Sequence, residues 1–210
     1  GIFVYTGSNN VVNAGDVVSS IQTRLLFAES EAQLEAFLRR GMADTMADPD
    51  YIFSNDMSIL REHARSEILN VVLANLRLSI EGFYSKNKKG AAPVVVTTPP
   101  GEYHDLGAKV TTALLRIKGF NASFTGANLP AKALLTLVDT INPAAVVFSV
   151  AHLVNLVALK DAVAVLRMTH PHLLIAVGGT PMAQNADAFG EVKVVLDHDA
   201  LYELIRGELR

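Results

Sequence analysis

From Gly90 onward the chain alternates short, continuous Val/Ile/Leu runs with amphipathic stretches, and this alternation constrains its fold more than any other feature. The runs are Pro93 to Thr98, Asn121 to Thr125, Ala144 to Val150, Leu173 to Val177 and Val192 to Leu196. Helices are expected at about Leu106 to Lys118, Ala131 to Thr140, Val154 to Met168, Pro181 to Ala188 and Ala200 to Leu209. A strand that is apolar at successive positions is buried on both faces, which is the situation of parallel strands joined by crossover helices. Five such units predict an α/β domain with a flavodoxin-like, doubly wound parallel sheet. In that topology ligands bind outside the carboxyl ends of the strands, near the point where the strand order reverses.

The chain before Lys86-Asn87-Lys88-Lys89-Gly90 reads as helical, with segments Val17 to Ala28, Glu31 to about Ala43, and about Asp56 to Tyr84. Met46-Ala-Asp-Pro-Asp50 interrupts it, because proline disfavours helix in the residue ahead of it, and Ser54 or Asn55 can cap the long segment. Ile59, Ile68, Leu69, Val72, Leu73, Leu76 and Ile80 recur at three- and four-residue spacing and form one apolar face. The expected organisation is a helical bundle over residues 1–90 followed by the α/β domain over 91–210. The lysine cluster suits a solvated helix end, where cations meet the carbonyl dipole.

Composition excludes several classes. With 210 residues and 50% hydrophobic content, the chain can bury a sizeable core. It has no cysteine, which removes disulfides, thiolate metal sites and Fe–S clusters. Its net charge of −3 does not suggest a polyanion binder. No apolar run approaches the roughly twenty residues of a membrane span, so a cytoplasmic location and no membrane contact are expected. No Ser-His-Asp order, phosphate-binding loop or Gly-x-Gly-x-x-Gly is present, so the chain is not expected to be an enzyme by itself.

The chemistry-bearing residues fall at the ends of the expected strands. Glu102-Tyr103-His104-Asp105-Leu106-Gly107 follows the first strand, Ser149-Val150-Ala151 ends the third, and Gly178-Gly179 ends the fourth. Gly107 and Ser149 are separated by residues 108–148, and Ala151 and Gly178 by residues 152–177. In order and spacing this pattern resembles the fingerprint of the cobalamin-binding domain family: an acidic residue, one residue, His, two residues, Gly, then Ser-x-Leu, then Gly-Gly. The resemblance covers about residues 92 to 197.

The resemblance implies specific roles. His104 would be the metal ligand, replacing the cofactor's own dimethylbenzimidazole on the lower face of cobalt, while the displaced nucleotide tail enters between strand ends. Glu102 would orient the imidazole. It stands where most of the family has Asp, and the extra methylene would lengthen or redirect that bond. Asp105 and Gly107 belong to the same cofactor-binding set, with Gly107 permitting close approach to the backbone. Ser149 resembles the family serine that faces the buried benzimidazole; Ala151 stands where the family usually has Leu; Gly178 and Gly179 would let the tail lie against the chain. His152, just past Ser149, is placed to line the tail pocket.

The helical part would cap the upper face of the corrin. Light-responsive regulators of the CarH/LitR type present Trp, nine residues, Glu-His there; this chain keeps Glu62-His63 but contains no Trp, with Ile52 at the matching distance and Phe53 after it. Two readings of Glu62 and His63 stand side by side: contact with an upper ligand, for example through the carboxylate to a ribose hydroxyl, or a charged helix surface; in either case the tryptophan-dependent photochemistry is not expected. The expected function is that of a cobalamin-binding sensory or regulatory module, loaded with adenosyl-, methyl- or hydroxocobalamin. It would act on a protein partner or through homo-oligomer formation, with DNA engaged only through a region or partner outside these residues. The alternatives are a corrinoid carrier protein of a methyltransferase system and a haem-binding sensor on the same fold.

Overall fold

A computed structural model describes residues 3–6, 10–13, 30–46, 56–88, 90, 92–190 and 192–209. The expected helix Val17 to Ala28, the candidate caps Ser54 and Asn55, and Ile52 and Phe53 lie outside the described residues. The chain divides into two compact units, Gly1–Gly82 and Phe83–Arg210. The division falls inside the long helix rather than at the expected boundary near residue 90.

The first unit contains a hairpin that the helical pattern did not announce. Strand β1 (Phe3–Thr6) pairs antiparallel with β2 (Asn10–Asn13), with Phe3 opposite Asn13 and Thr6 opposite Asn10. Two helices follow, α1 (Glu31–Met46) and α2 (Asp56–Asn87). Ser30 caps α1, its Oγ accepting the Gln33 N–H at 3.3 Å. Leu34 and Leu38 on α1, and Leu69, Val72, Leu76 and Ile80 on α2, are buried at helical spacing. The two helices come close at Gly41, where a Cβ would lie 3.0 Å from Leu69 Cδ2. Buried Glu35 is neutralised one turn on by Arg39, at 2.7 Å.

In the second unit five parallel strands form one sheet: β3 (Pro93–Thr97), β4 (Asn121–Phe124), β5 (Ala145–Ser149), β6 (Leu174–Gly178) and β7 (Lys193–Val194). Their order is β4-β3-β5-β6-β7, the flavodoxin-like arrangement expected from the alternating runs. The helices are α3 (Leu106–Ile117), α4 (Ala131–Ile141), α5 (Leu156–Thr169) and α6 (His198–Glu208). Alternate strand residues serve alternate layers. Val95, Val146, Phe148, Ile175 and Val177 pack in one buried cluster with Leu134 and Val138 of α4 and with Leu159, Val163 and Leu166 of α5. On the other side, α3 and α6 are tied by the Thr111 Oγ1 to His198 Nε2 contact at 3.2 Å. The end of α2 belongs to this unit: Asn87 Nδ2 donates to the Ile117 carbonyl at 2.9 Å, and the Arg116 guanidinium lies over the Tyr84 ring.

One expected helix is corrected. Pro181 to Ala188 is not an α-helix but two short 3-10 turns, Thr180–Gln184 and Ala186–Phe189. The Asn185 side-chain amide takes the Pro181 carbonyl at 2.8 Å, while its main-chain N–H goes to Met182 at 3.3 Å, so the i to i−4 ladder does not start. The expected helix from Val154 likewise begins with a 3-10 turn, Leu153–Asn155, before α5.

Candidate functional site

The strand order reverses between β3 and β5, and the loops that leave these two strands meet around one carboxylate. Pro99, Pro100 and Gly101 turn the chain after β3, and Gly101 takes φ +85°, which glycine adopts without strain. The turn buries Glu102 completely. A buried carboxylate must be satisfied by donors, and Glu102 has five. Its Oε1 accepts the His104 main-chain N–H at 3.0 Å and contacts His104 Nδ1 at 2.8 Å. Its Oε2 accepts the N–H groups of Ala151 and His152, each at 3.0 Å, and the Asn155 side-chain amide at 2.8 Å.

Burial alone would raise the pKa of Glu102. The hydrogen bonds from the His104 ring, from Asn155 and from the main-chain N–H groups of His104 and His152 outweigh it and hold the group at about 2. Glu102 is thus an anion at neutral pH and assigns the proton of His104 to Nδ1. The lone pair of the neutral imidazole is then on Nε2, the form in which histidine ligates a metal. The His104 side chain is 44% exposed, so that nitrogen stands at the rim of the site rather than in the core. Glu102 is one methylene longer than aspartate, yet the contact with Nδ1 is not lengthened, and its second oxygen reaches the loop after β5.

A third loop joins the rim. Thr98 Oγ1 donates to the Glu102 carbonyl at 2.7 Å, and the Asn128 N–H is shared between Thr98 Oγ1 at 2.8 Å and that same carbonyl at 3.0 Å. Asn128 Oδ1 in turn accepts the Gly101 N–H at 2.7 Å. Asn128 takes φ +54°, a left-handed conformation that asparagine tolerates better than most residues.

The other expected site residues divide. Ser149 and Gly178 are register partners at the ends of β5 and β6. Ala151 contributes its main-chain N–H, for which the identity of the side chain is immaterial. Gly179 has φ +127°, and a Cβ there would lie 1.9 Å from the Val150 carbonyl oxygen, so the fold itself requires glycine. At Gly178 a Cβ would meet the Val195 carbonyl oxygen at 3.2 Å. Asp105 pairs with Lys109 on its own helix at 2.9 Å, and Gly107 lies in the first turn of α3. Glu62 and His63 stand on α2, within the first unit, where His63 is exposed.

Asn155 is new to the set, and His152, expected only at the tail pocket, comes to the imidazole instead. Asn155 supplies a donor to Glu102, and His152 places its Nε2 3.3 Å from His104 Nε2. The signal for Asn155 is a lone amide within Leu153-Val154-Asn155-Leu156-Val157. Exposed apolar side chains flank these polar groups along the chain: Tyr103 between Glu102 and His104, and Leu153, Val154 and Val157 beside His152 and Asn155, all more than 60% exposed. An imidazole with an oriented lone pair at the switch point, on loops that carry exposed apolar side chains, suits a large, flat, mostly apolar metal complex. An opening of about 400 Å³ near Pro143, His170, His172 and Glu208 is a separate feature, and there His170 is held by Asp139 at 3.0 Å.

Comparisons with known proteins agree with this reading of the sheet domain. A sequence profile of the B12 binding domain matches residues 92–201. A methanol–corrinoid protein of Methanosarcina barkeri is 35% identical over 83 residues, which span 35% of this chain and 32% of that protein. Among solved structures, a cobalamin-binding protein from Desulfitobacterium hafniense superposes with a TM-score of 0.52 at 19% identity, covering 92% of this chain and 90% of its own. The monomethylamine corrinoid protein of M. barkeri gives a TM-score of 0.55 at 17% identity over 71% and 69% of the two chains. The methanol:cobalamin methyltransferase complex of that organism gives 0.50 at 19% identity over 93% and 75%.

Proposed function

This chain belongs to the B12-binding domain family, and on that premise we propose that it is a corrinoid carrier protein, holding cobalamin at the carboxyl end of its sheet and presenting it to a methyltransferase partner. The observation that carries the reading is the buried, fully donated carboxylate of Glu102 holding the half-exposed imidazole of His104 with Nε2 as its lone-pair nitrogen. When bound, the corrinoid supplies a cobalt centre that reversibly takes an alkyl group. His104 would hold the cobalt through Nε2, and Glu102 would fix the ring and its tautomer. Ser149, Gly178 and Gly179, at the ends of β5 and β6, would line the entry of the nucleotide tail. Tyr103, Leu153, Val154 and Val157 would exclude water from the lower side of the ring.

A carrier needs no acid–base dyad of its own, and two of the similar proteins are corrinoid proteins by name. These similarities support the carrier over the sensory module expected from Glu102 and the Glu62-His63 pair. Light control, transcription control and DNA contact have no corresponding support. Among the described residues no helix is long and apolar enough to cross a membrane.

The test is an absorption titration with hydroxo- and methylcobalamin. A base-off, histidine-on spectrum that is lost in His104→Ala supports the reading; an unchanged spectrum in that variant overturns it. Methyl exchange between the loaded protein and an added methyltransferase, with no light-dependent change in assembly, separates carrier from sensor.

A further inference from the structure

His152 lies outside the family fingerprint, yet its Nε2 is 3.3 Å from Nε2 of His104. The two rings are tilted at 59° rather than stacked, with centroids 4.2 Å apart. At 3.3 Å the two ring nitrogens are within reach of a weak hydrogen bond from His152 to the His104 lone pair, and the same separation has a second meaning. It is the edge of a tetrahedron: two nitrogens each about 2.05 Å from one ion, at the tetrahedral angle, lie about 3.3 Å apart. When both rings point at one ion their centroids spread to about 5 Å, a small side-chain rotation for imidazoles at a rim. The supporting shell is in place. Glu102 accepts from His104 Nδ1 and also from the His152 main-chain N–H, so one buried carboxylate anchors both residues, and the three groups form a compact cluster of potential ligand atoms.

We propose that His104 and His152 together bind one divalent transition-metal ion, with Zn²⁺ the best fit, when no corrinoid occupies the site, and that ion and corrinoid exclude one another. The ion uses the Nε2 atoms of both residues and completes its tetrahedron with water. The exclusion half rests on the corrinoid reading, because both ligands would claim the same lone pair of His104. The ion-binding half does not.

The experiment uses the corrinoid-free full chain, titrated with ZnCl₂ by calorimetry and with CoCl₂ by visible absorption, where Co²⁺ bound in a tetrahedral site absorbs strongly. One equivalent should bind. His152→Ala and His104→Ala should each lower affinity by at least about tenfold, and Glu102→Gln by roughly 10- to 100-fold. His172→Ala, at an exposed imidazole elsewhere in the unit, should change nothing; circular dichroism checks that each variant is folded. Hydroxocobalamin added to the Zn²⁺ form should release the ion to a chelating dye. Absence of one-equivalent binding, or equal affinity in folded His152→Ala, overturns the site, and loss of binding in His172→Ala moves the ion elsewhere and overturns it too. Retention of the ion beside bound corrinoid overturns the exclusion. Corrinoid binding without ion binding removes this proposal and leaves the carrier reading; ion binding without corrinoid binding does the reverse.

Discussion

The carboxylate of Glu102 accepts the main-chain N–H of Ala151, 49 residues along the chain, at 3.0 Å. This one contact ties the loop after β3 to the loop after β5 across the switch point. Position 151 serves the site through its backbone, so the small side chain of Ala151 does not weaken the contact. Four further donors converge on the same carboxylate, and the expected effects of substitution follow from that convergence.

Glu102→Gln keeps the size of the side chain but replaces one acceptor oxygen with an NH₂ group that faces donors. At least one buried N–H then loses its partner, at a cost of about 1–3 kcal/mol. For a chain of this length that corresponds to a fall of roughly 2–12 °C in melting temperature. Thermal unfolding followed by circular dichroism measures it. A wild-type melting temperature would show that the carboxylate is not a structural anchor.

Acid should weaken the same anchor. The pKa of Glu102 is about 2 in the folded chain against an ordinary 4.5, so the unfolded state takes up the proton more readily. The contribution to stability is complete above pH 4.5 and is lost as the pH falls towards 2. At most about 3 kcal/mol is involved, roughly 2 of it between pH 5 and pH 3. Urea unfolding at these two pH values should show a larger acid loss in the wild type than in Glu102→Gln. Equal losses would assign the acid sensitivity to other carboxylates.

Gly179→Ala and Gly82→Ala should act in opposite directions. The first places a Cβ against the Val150 carbonyl oxygen at a residue with φ +127°, and a loss of more than about 2 kcal/mol is expected. The second adds a methyl in the interior of α2 with nothing within 4 Å, and should stabilise by up to about 1 kcal/mol. Denaturant midpoints of the two variants check both signs.

Asn155→Ala removes the 2.8 Å donor to Glu102 Oε2 and leaves the main-chain donors in place. A loss of about 1 kcal/mol is expected. Cobalamin affinity should fall less than in His104→Ala, because Asn155 acts on the imidazole only through Glu102. A fall equal to that of His104→Ala, read from absorption titrations, would give Asn155 a direct role.

Much of the sheet domain was legible because a strand buried on both faces is apolar at nearly every position, so the ends of its Val and Ile runs mark its own ends. The two segments that were misread have local causes. Around Pro181 a side-chain amide competes with the helical ladder, and periodicity does not register such competition. The four-residue strands of the first unit are too short to carry a pattern. In the site, Glu102 and His104 lie two residues apart, and their partnership was implied by the resemblance to the cobalamin-binding fingerprint, since an acidic residue two before a histidine is by itself unremarkable. His152 and Asn155 join them from about 50 residues away. That meeting depends on the register of β3 against β5, which pairs Val95 with Val146 and is a property of the assembled sheet.

Asn128 closes the arrangement from the loop after β4, bonded to Thr98, to Gly101 and to the carbonyl of the same Glu102. Three crossover loops are thereby fastened to one another before any cofactor arrives. Loops so joined do not fray singly. The amides of Gly101, His104, Asn128, Ala151 and His152 should exchange with solvent deuterium through one shared opening event, with similar free energies, and a cofactor that fits the rim should slow all five together.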